Sequence, residues 1–198
     1  LLHDALNLYL DLVEKTVRPL DTCPDTALTI GYTPLHGVGG APVRALLERN
    51  GFSLHLVDNQ FAPDGHFPTI ATPNPELSVA FDGLFALARE KDCDLLLATD
   101  PDSDRIGVAA KDKDGQWVRI TGNELGALLI DYIAQTAGVH PGDTIVTTIV
   151  TSSFPKEVAR HHGFSLKETF TGFKYIGAVA TALETDTDAR FVFGFEES

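Results

Sequence analysis

Apolar and polar residues alternate along this chain in two rhythms that keep trading places. Short apolar runs at "ALTIGY" (27–32), "FSLHLVD" (52–58) and "DLLLA" (94–98) read as strands, and the last is apolar enough to be buried on both faces. Between them, "APVRALLERNG" has the helical period and a closing glycine at Gly51. "NPELSVAFDGLFALAREK" is a second helix, with Asn74 placed to cap it and Pro75 in its first turn. The opening "LLHDALNLYLDLVEK" puts Leu2, Leu6, Tyr9 and Val13 on one predicted helical stripe.

Beyond residue 100 the grammar repeats. "RIGVAAKDKDGQWV" alternates and turns at Asp114-Gly115, as a hairpin does. Thr121 and Glu124 have the spacing of a capping box ahead of "LGALLIDYIAQTAG". "TIVTTIV", "FPKEVARHHG", "SLKETFTG", "FKYIGAVATALE" and "RFVFGFEES" then predict strand, helix, strand, helix, strand. The expected fold class is α/β: two consecutive α/β/α sandwich domains, 1–120 and 121–198, with mainly parallel mixed sheets. The segment 59–75 holds four prolines and reads as a long loop, a length usually kept for function.

Composition narrows the partners. The chain has 198 residues with 15 basic against 28 acidic side chains, a formal charge of −13. That balance disfavours nucleic acid and anionic membrane surfaces, and no run is long enough for a membrane span. Two cysteines, Cys23 and Cys93, are too few for a disulfide framework, so reduced thiols and a cytoplasmic setting are expected. The chain lacks methionine and stops just after a strand-like run, so it reads as a piece of a longer protein.

Candidate chemistry concentrates in "LLLATDPDSDRIGVAA", where Asp100, Asp102 and Asp104 follow an apolar strand. Carboxylates about 4 Å apart repel by about 4 kcal/mol per pair at an effective dielectric of 20, and a divalent cation compensates. Oxygen ligands on a short loop suit Mg²⁺. A solvated acidic turn capped by Arg105 is the plain alternative. An EF-hand is excluded, because Arg105 and Lys111 stand where its Gly and Glu belong. An aspartyl-phosphate phosphatase remains a rival, although Asp104-Arg105 stand close after the second aspartate, where small hydroxyl or Gly residues are usual. "GYTPLHGVGG" invites a dinucleotide reading through Gly37, Gly39 and Asp58, but Pro42 takes the third glycine position, and a tight turn ranks above it. His36 in this loop is either a ligand-facing catalytic candidate or a hydrogen-bonded turn residue.

Together "TPLHGVGG", "TPNPE", "ATDPDSDR", "TGNELGALL", "TGFKYIG" and "GFEES", in this order, make the chain resemble the α-D-phosphohexomutases, near the phosphoglucomutase and phosphopentomutase branch. The resemblance implies a four-domain phosphosugar mutase of which this chain holds the second domain and most of the third. It implies Mg²⁺ on Asp100, Asp102 and Asp104, with Arg105 neutralising a phosphoryl group carried by a serine of the absent first domain. Lys174 becomes the candidate for proton transfer. Glu196 and Ser198 become sugar-hydroxyl partners, and Thr171 and Gly172 form the turn that presents Lys174. A glucose 1,6-bisphosphate-type activator and a phosphosugar substrate follow. The chain alone is then expected to be inactive, since the serine loop and the fourth, phosphate-binding domain are absent. The competing reading from another class is a non-catalytic metal- or nucleotide-binding α/β module.

Overall fold

A computed structural model describes residues 2–16 and 28–197. Ser198 and Cys23 lie outside the described residues. The chain divides into two compact α/β units, Leu1–Arg119 and Ile120–Ser198.

In the first unit, β1 (Thr29–Thr33), β2 (Ser53–Leu56) and β3 (Leu95–Thr99) pair in parallel, and β4 (Ile106–Lys111) runs antiparallel to β3. With β5 (Trp117–Ile120) at the edge, the sheet order is β2-β1-β3-β4-β5. The hairpin turns through Asp112, whose carboxylate accepts the backbone N–H groups of Asp114 and Gln116, and Gly115 supplies the left-handed residue at φ 76°. Three helices accompany the sheet: α1 (Leu2–Thr16), α2 (Gly40–Arg49) and the single turn α3 (Asp58–Phe61). A fourth, α4 (Asp82–Lys91), packs its buried Leu84 and Ala88 into a core with Phe81, Cys93, Leu96 and Ala109. Gly31 in the middle of β1 lets this layer close, since a Cβ there would meet Leu96 at 2.7 Å and Cys93 at 3.3 Å.

Two details differ from the pattern read along the chain. On α1 the buried apolar residue is Leu10, at 1% exposure, whereas Tyr9 stands 57% exposed. The stripe is therefore rotated from the expected one, and Leu10 with the half-buried Leu6 and Val13 forms the i, i+4, i+7 face. Asn74 does not cap a helix. Its side chain accepts the N–H of Glu76 and its carbonyl that of Leu77, closing a turn. A 3₁₀ turn at Ser78–Phe81 follows before α4 begins. The physical reason is tethering: Pro75 is buried against β4, where a Cβ on Gly107 would lie 2.6 Å from the Pro75 carbonyl oxygen, so the chain cannot yet coil.

The second unit is a three-stranded parallel sheet ordered β7-β6-β8, from β6 (Asp143–Thr148), β7 (Ser165–Thr169) and β8 (Arg190–Gly194). Adjacent residues of β6 point to opposite faces and build two separate cores. Ile145 packs with Ile130 of α5 (Gly122–Ala137) and Ala159 of α6 (Ser153–His162), while Val146 packs with Ile176 and Leu183 of α7 (Phe173–Glu184). Thr121 caps α5 in a complete capping box, its hydroxyl accepting from Glu124 N–H while the Glu124 carboxylate accepts from Thr121 N–H. The run "TIVTTIV" outlasts its strand. Thr151 turns back, donating its N–H to the Thr148 carbonyl and accepting the Thr148 N–H on its hydroxyl, which leaves Ile149 and Val150 exposed.

Candidate functional site

The aspartate loop leaves the C-terminal end of β3, where ligand-binding loops of parallel sheets project. Asp100 is buried at 1% exposure, yet both of its carboxylate oxygens are satisfied by one residue. Arg105 donates its backbone N–H to Oδ1 at 3.0 Å and its Nε–H to Oδ2 at 2.9 Å. Burial alone would raise the Asp100 carboxyl, but the Arg105 backbone and guanidinium outweigh it and hold it below the usual carboxylate range. The guanidinium is pushed further up in turn, first by its bond to Asp100 and then by its contact with Glu76 at 3.3 Å.

Asp102 and Asp104 are exposed. One oxygen from each of Asp100, Asp102 and Asp104 lies within 4.8 Å of the others. Desolvation and the negative charges of Asp100 and Asp102 push the Asp104 carboxyl up. The three carboxylates make an all-oxygen donor set that fits a hard divalent cation. Beside the loop is an open depression of about 650 Å³, lined by Val38, Thr72, Asn74, Asp100, Asp102 and Arg105.

Two other loops hold the aspartates in place. The glycine-rich turn after β1 presses directly on them: Val38 N–H donates to the Pro101 carbonyl at 2.9 Å, and a Cβ on Gly37 would fall 2.4 Å from Pro101 Cα. At Gly39 a Cβ would meet Ser103 Oγ at 2.3 Å, just above the buried Tyr32–Thr99 hydroxyl pair at 2.9 Å. Here the glycines give another backbone room to approach, and that is the geometric use of "HGVGG" in this fold. Leu35, His36 and Ser103 take left-handed φ values of 48°, 63° and 64°, strain that the packing of the two loops sustains.

His36 is 5% exposed and hydrogen-bonded at both ring nitrogens, Nε2 to Thr69 Oγ1 at 2.8 Å and Nδ1 to the Ala62 carbonyl at 3.4 Å. Gln60 joins the same network, donating to Thr69 and accepting from Thr33. The network fastens the proline-rich segment 59–75, whose far end brings Thr72 and Asn74 to the depression beside the aspartates, with Glu76 just beyond it bonded to Arg105. The structure thus places His36 behind this loop and not on the depression. Thr72, Asn74 and Glu76 were not singled out as site residues from the sequence, although "TPNPE" marks their segment.

In the second unit the structure brings Glu196 and Gly172 together, the Glu196 carboxylate accepting the Gly172 N–H at 2.5 Å. Gly172 has φ 121° and opens α7. The Lys174 amino group lies over the Tyr175 ring at 4.9 Å, and Thr171, Phe173 and Lys174 are all exposed. Glu197, not singled out from the sequence, accepts the hydroxyls of Thr151 at 2.8 Å and Thr148 at 3.2 Å.

Residues 7–115 match the family profile described as phosphoglucomutase/phosphomannomutase, alpha/beta/alpha domain II, and residues 121–198 match domain III of the same family. The chain belongs to the phosphoglucomutase/phosphomannomutase family. Among curated relatives, a phosphoglucomutase of Staphylococcus epidermidis is 40% identical over 187 residues, covering 93% of this chain and 34% of that protein. The chain therefore spans about a third of that relative's length. Among solved structures, a putative phosphomannomutase from Thermus thermophilus superposes with a TM-score of 0.75 at 19% identity, covering 98% of this chain and 41% of its own. An Aspergillus fumigatus N-acetylphosphoglucosamine mutase, in complex with GlcNAc-6P and magnesium, superposes with a TM-score of 0.52 at 18% identity, covering 86% and 34%. At these identities the two structures speak for the phosphohexomutase fold alone.

Proposed function

We propose that this chain supplies the metal-binding and sugar-recognition loops of a phosphosugar mutase, with residues 1–120 and 121–198 serving as its second and third domains. The convergence of Asp100, Asp102 and Asp104 beside Arg105 carries the reading. In this reaction a phosphoserine elsewhere in the protein gives its phosphoryl group to a sugar monophosphate, and the resulting bisphosphate returns its other phosphate to the serine. Asp100, Asp102 and Asp104 would hold Mg²⁺, in keeping with the magnesium complex of the fungal relative. When bound, the ion offsets negative charge on the transferring phosphoryl oxygens.

The chain's own residues do the rest. Asp100 fixes the Arg105 guanidinium by its Nε edge and Glu76 holds Nη1, leaving Nη2 as the side of the fork that reaches an anion. This preorganised charge lets a protein of net charge −13 receive a phosphate ester. Glu196 accepts hydrogen bonds from vicinal sugar hydroxyls, joined by Ser198, while the Thr171-Gly172 turn presents Lys174 for proton transfer. A glucose 1,6-bisphosphate-type activator would load the serine.

The test is the intact mass of the full-length protein after incubation with glucose 1,6-bisphosphate and Mg²⁺, beside its Asp102→Asn variant. One added phosphoryl group, gained more slowly by the variant, is the expected outcome. No added mass on folded, initially unphosphorylated protein would overturn the mutase and leave a metal-binding module. Residues 1–198 alone should bind Mg²⁺ without interconverting sugar phosphates.

A further inference from the structure

The last described residues are held by three different elements. The Phe195 ring fills the space above Gly126 of α5, where a Cβ would lie 2.2 Å from it, and Phe195 N–H donates to the Val146 carbonyl. Glu196 is tied to Gly172. Glu197 is tied to the turn after β6, its Oε2 accepting both the Thr151 and Thr148 hydroxyls, which also contact each other at 3.1 Å. Both threonines are buried, at 3% and 0% exposure, so this is a built receptor for a carboxylate and not a chance surface contact. The backbone of Glu197 is seated just as closely, since a Cβ on Gly122 would fall 1.8 Å from its carbonyl oxygen.

Two adjacent carboxylates left unrestrained would swing apart under their own repulsion, and an acceptor that must meet sugar hydroxyls loses affinity when its direction wanders. We infer that Glu197 is a positioning residue: clipped by Thr148 and Thr151, it fixes the backbone from which Glu196 meets the substrate. This inference rests on the sugar-recognition role proposed for Glu196.

The experiment uses the full-length protein with glucose 1-phosphate, measuring KM, kcat, Mg²⁺ affinity and thermal midpoint. Glu197→Ala and Thr151→Val are each expected to raise KM by about tenfold with a smaller change in kcat. The double variant should be no worse than the worse single one, because both cut the same contact. Thr151→Ser, which keeps the hydroxyl, should recover most of the loss, and Mg²⁺ affinity should stay constant throughout. Lowered thermal midpoints with KM within twofold of the parent would reduce Glu197 to a stability residue and overturn the inference. Should Glu197→Ala fail to fold, Thr151→Val against Thr151→Ser decides the matter alone. Glu196→Ala is the control on the footing: if it leaves KM unchanged, the sugar-recognition reading fails, and this inference with it.

Discussion

At the scale of single residues, what could be read in advance depended on how far away the partners lie. Asp100, Asp102, Asp104 and Arg105 lie within six residues of one another, so their clustering is visible in a few letters of sequence. Glu197 and His36 are satisfied by residues 46 and 33 positions away, and no local pattern shows such contacts. Gly37 is a case between these. Its glycine suits a turn, but its particular need is set by Pro101, far along the chain. Gly37→Ala should therefore leave the fold recognisable by circular dichroism while displacing the aspartate loop, lowering Mg²⁺ affinity by about tenfold or more in a calorimetric titration. Unchanged affinity would mean that the Asp loop keeps its shape without its neighbour.

Elements were legible where their ends carry side-chain chemistry. The capping box opening α5 and the hairpin at Asp114-Gly115 stand where their letters place them. Asn74 misled because the same side chain closes a turn as readily as it caps a helix, and the burial of Pro75 on β4 decides between the two. β6 ended early for a similar reason, a threonine hydroxyl competing with the ladder. Thr121→Ala should cost about 1 kcal/mol in chemical denaturation of the second unit. Thr121→Ser should be close to neutral, and an equal loss in both would remove the cap as the cause.

Across the whole molecule, the alternation of strand-like and helix-like runs conveyed two α/β units, because that alternation is what a layered parallel sheet demands. The proposed chemistry and one stabilising ion pair stand at opposite ends of the strands. Loops at the C-terminal ends carry the aspartates and Glu196, while at the start of β6 the buried Asp143 takes two hydrogen bonds from Arg190, at 2.8 and 2.9 Å, and one from His140 N–H. Arg190, more than the burial that opposes it, holds the Asp143 carboxyl below the usual range. The carboxyl's contribution is therefore full above its unfolded pKa of about 3.9 and fades as pH falls through the lower folded value. Asp143→Asn should lower stability by about 2 kcal/mol at pH 7, and the gap should close as pH falls below about 4. A gap that persists in strong acid would exclude the ion pair as its source. The interlock of the Gly37–Gly39 turn with Pro101 and Ser103 reaches beyond this protein. The aspartate loop is not a portable cassette: transplanted behind a strand of another sheet, it would carry its three carboxylates and lack the wall that gives them direction. A designer borrowing this loop for the metal role proposed above would have to copy two loops from distant parts of the chain, together with the strands that bring them side by side.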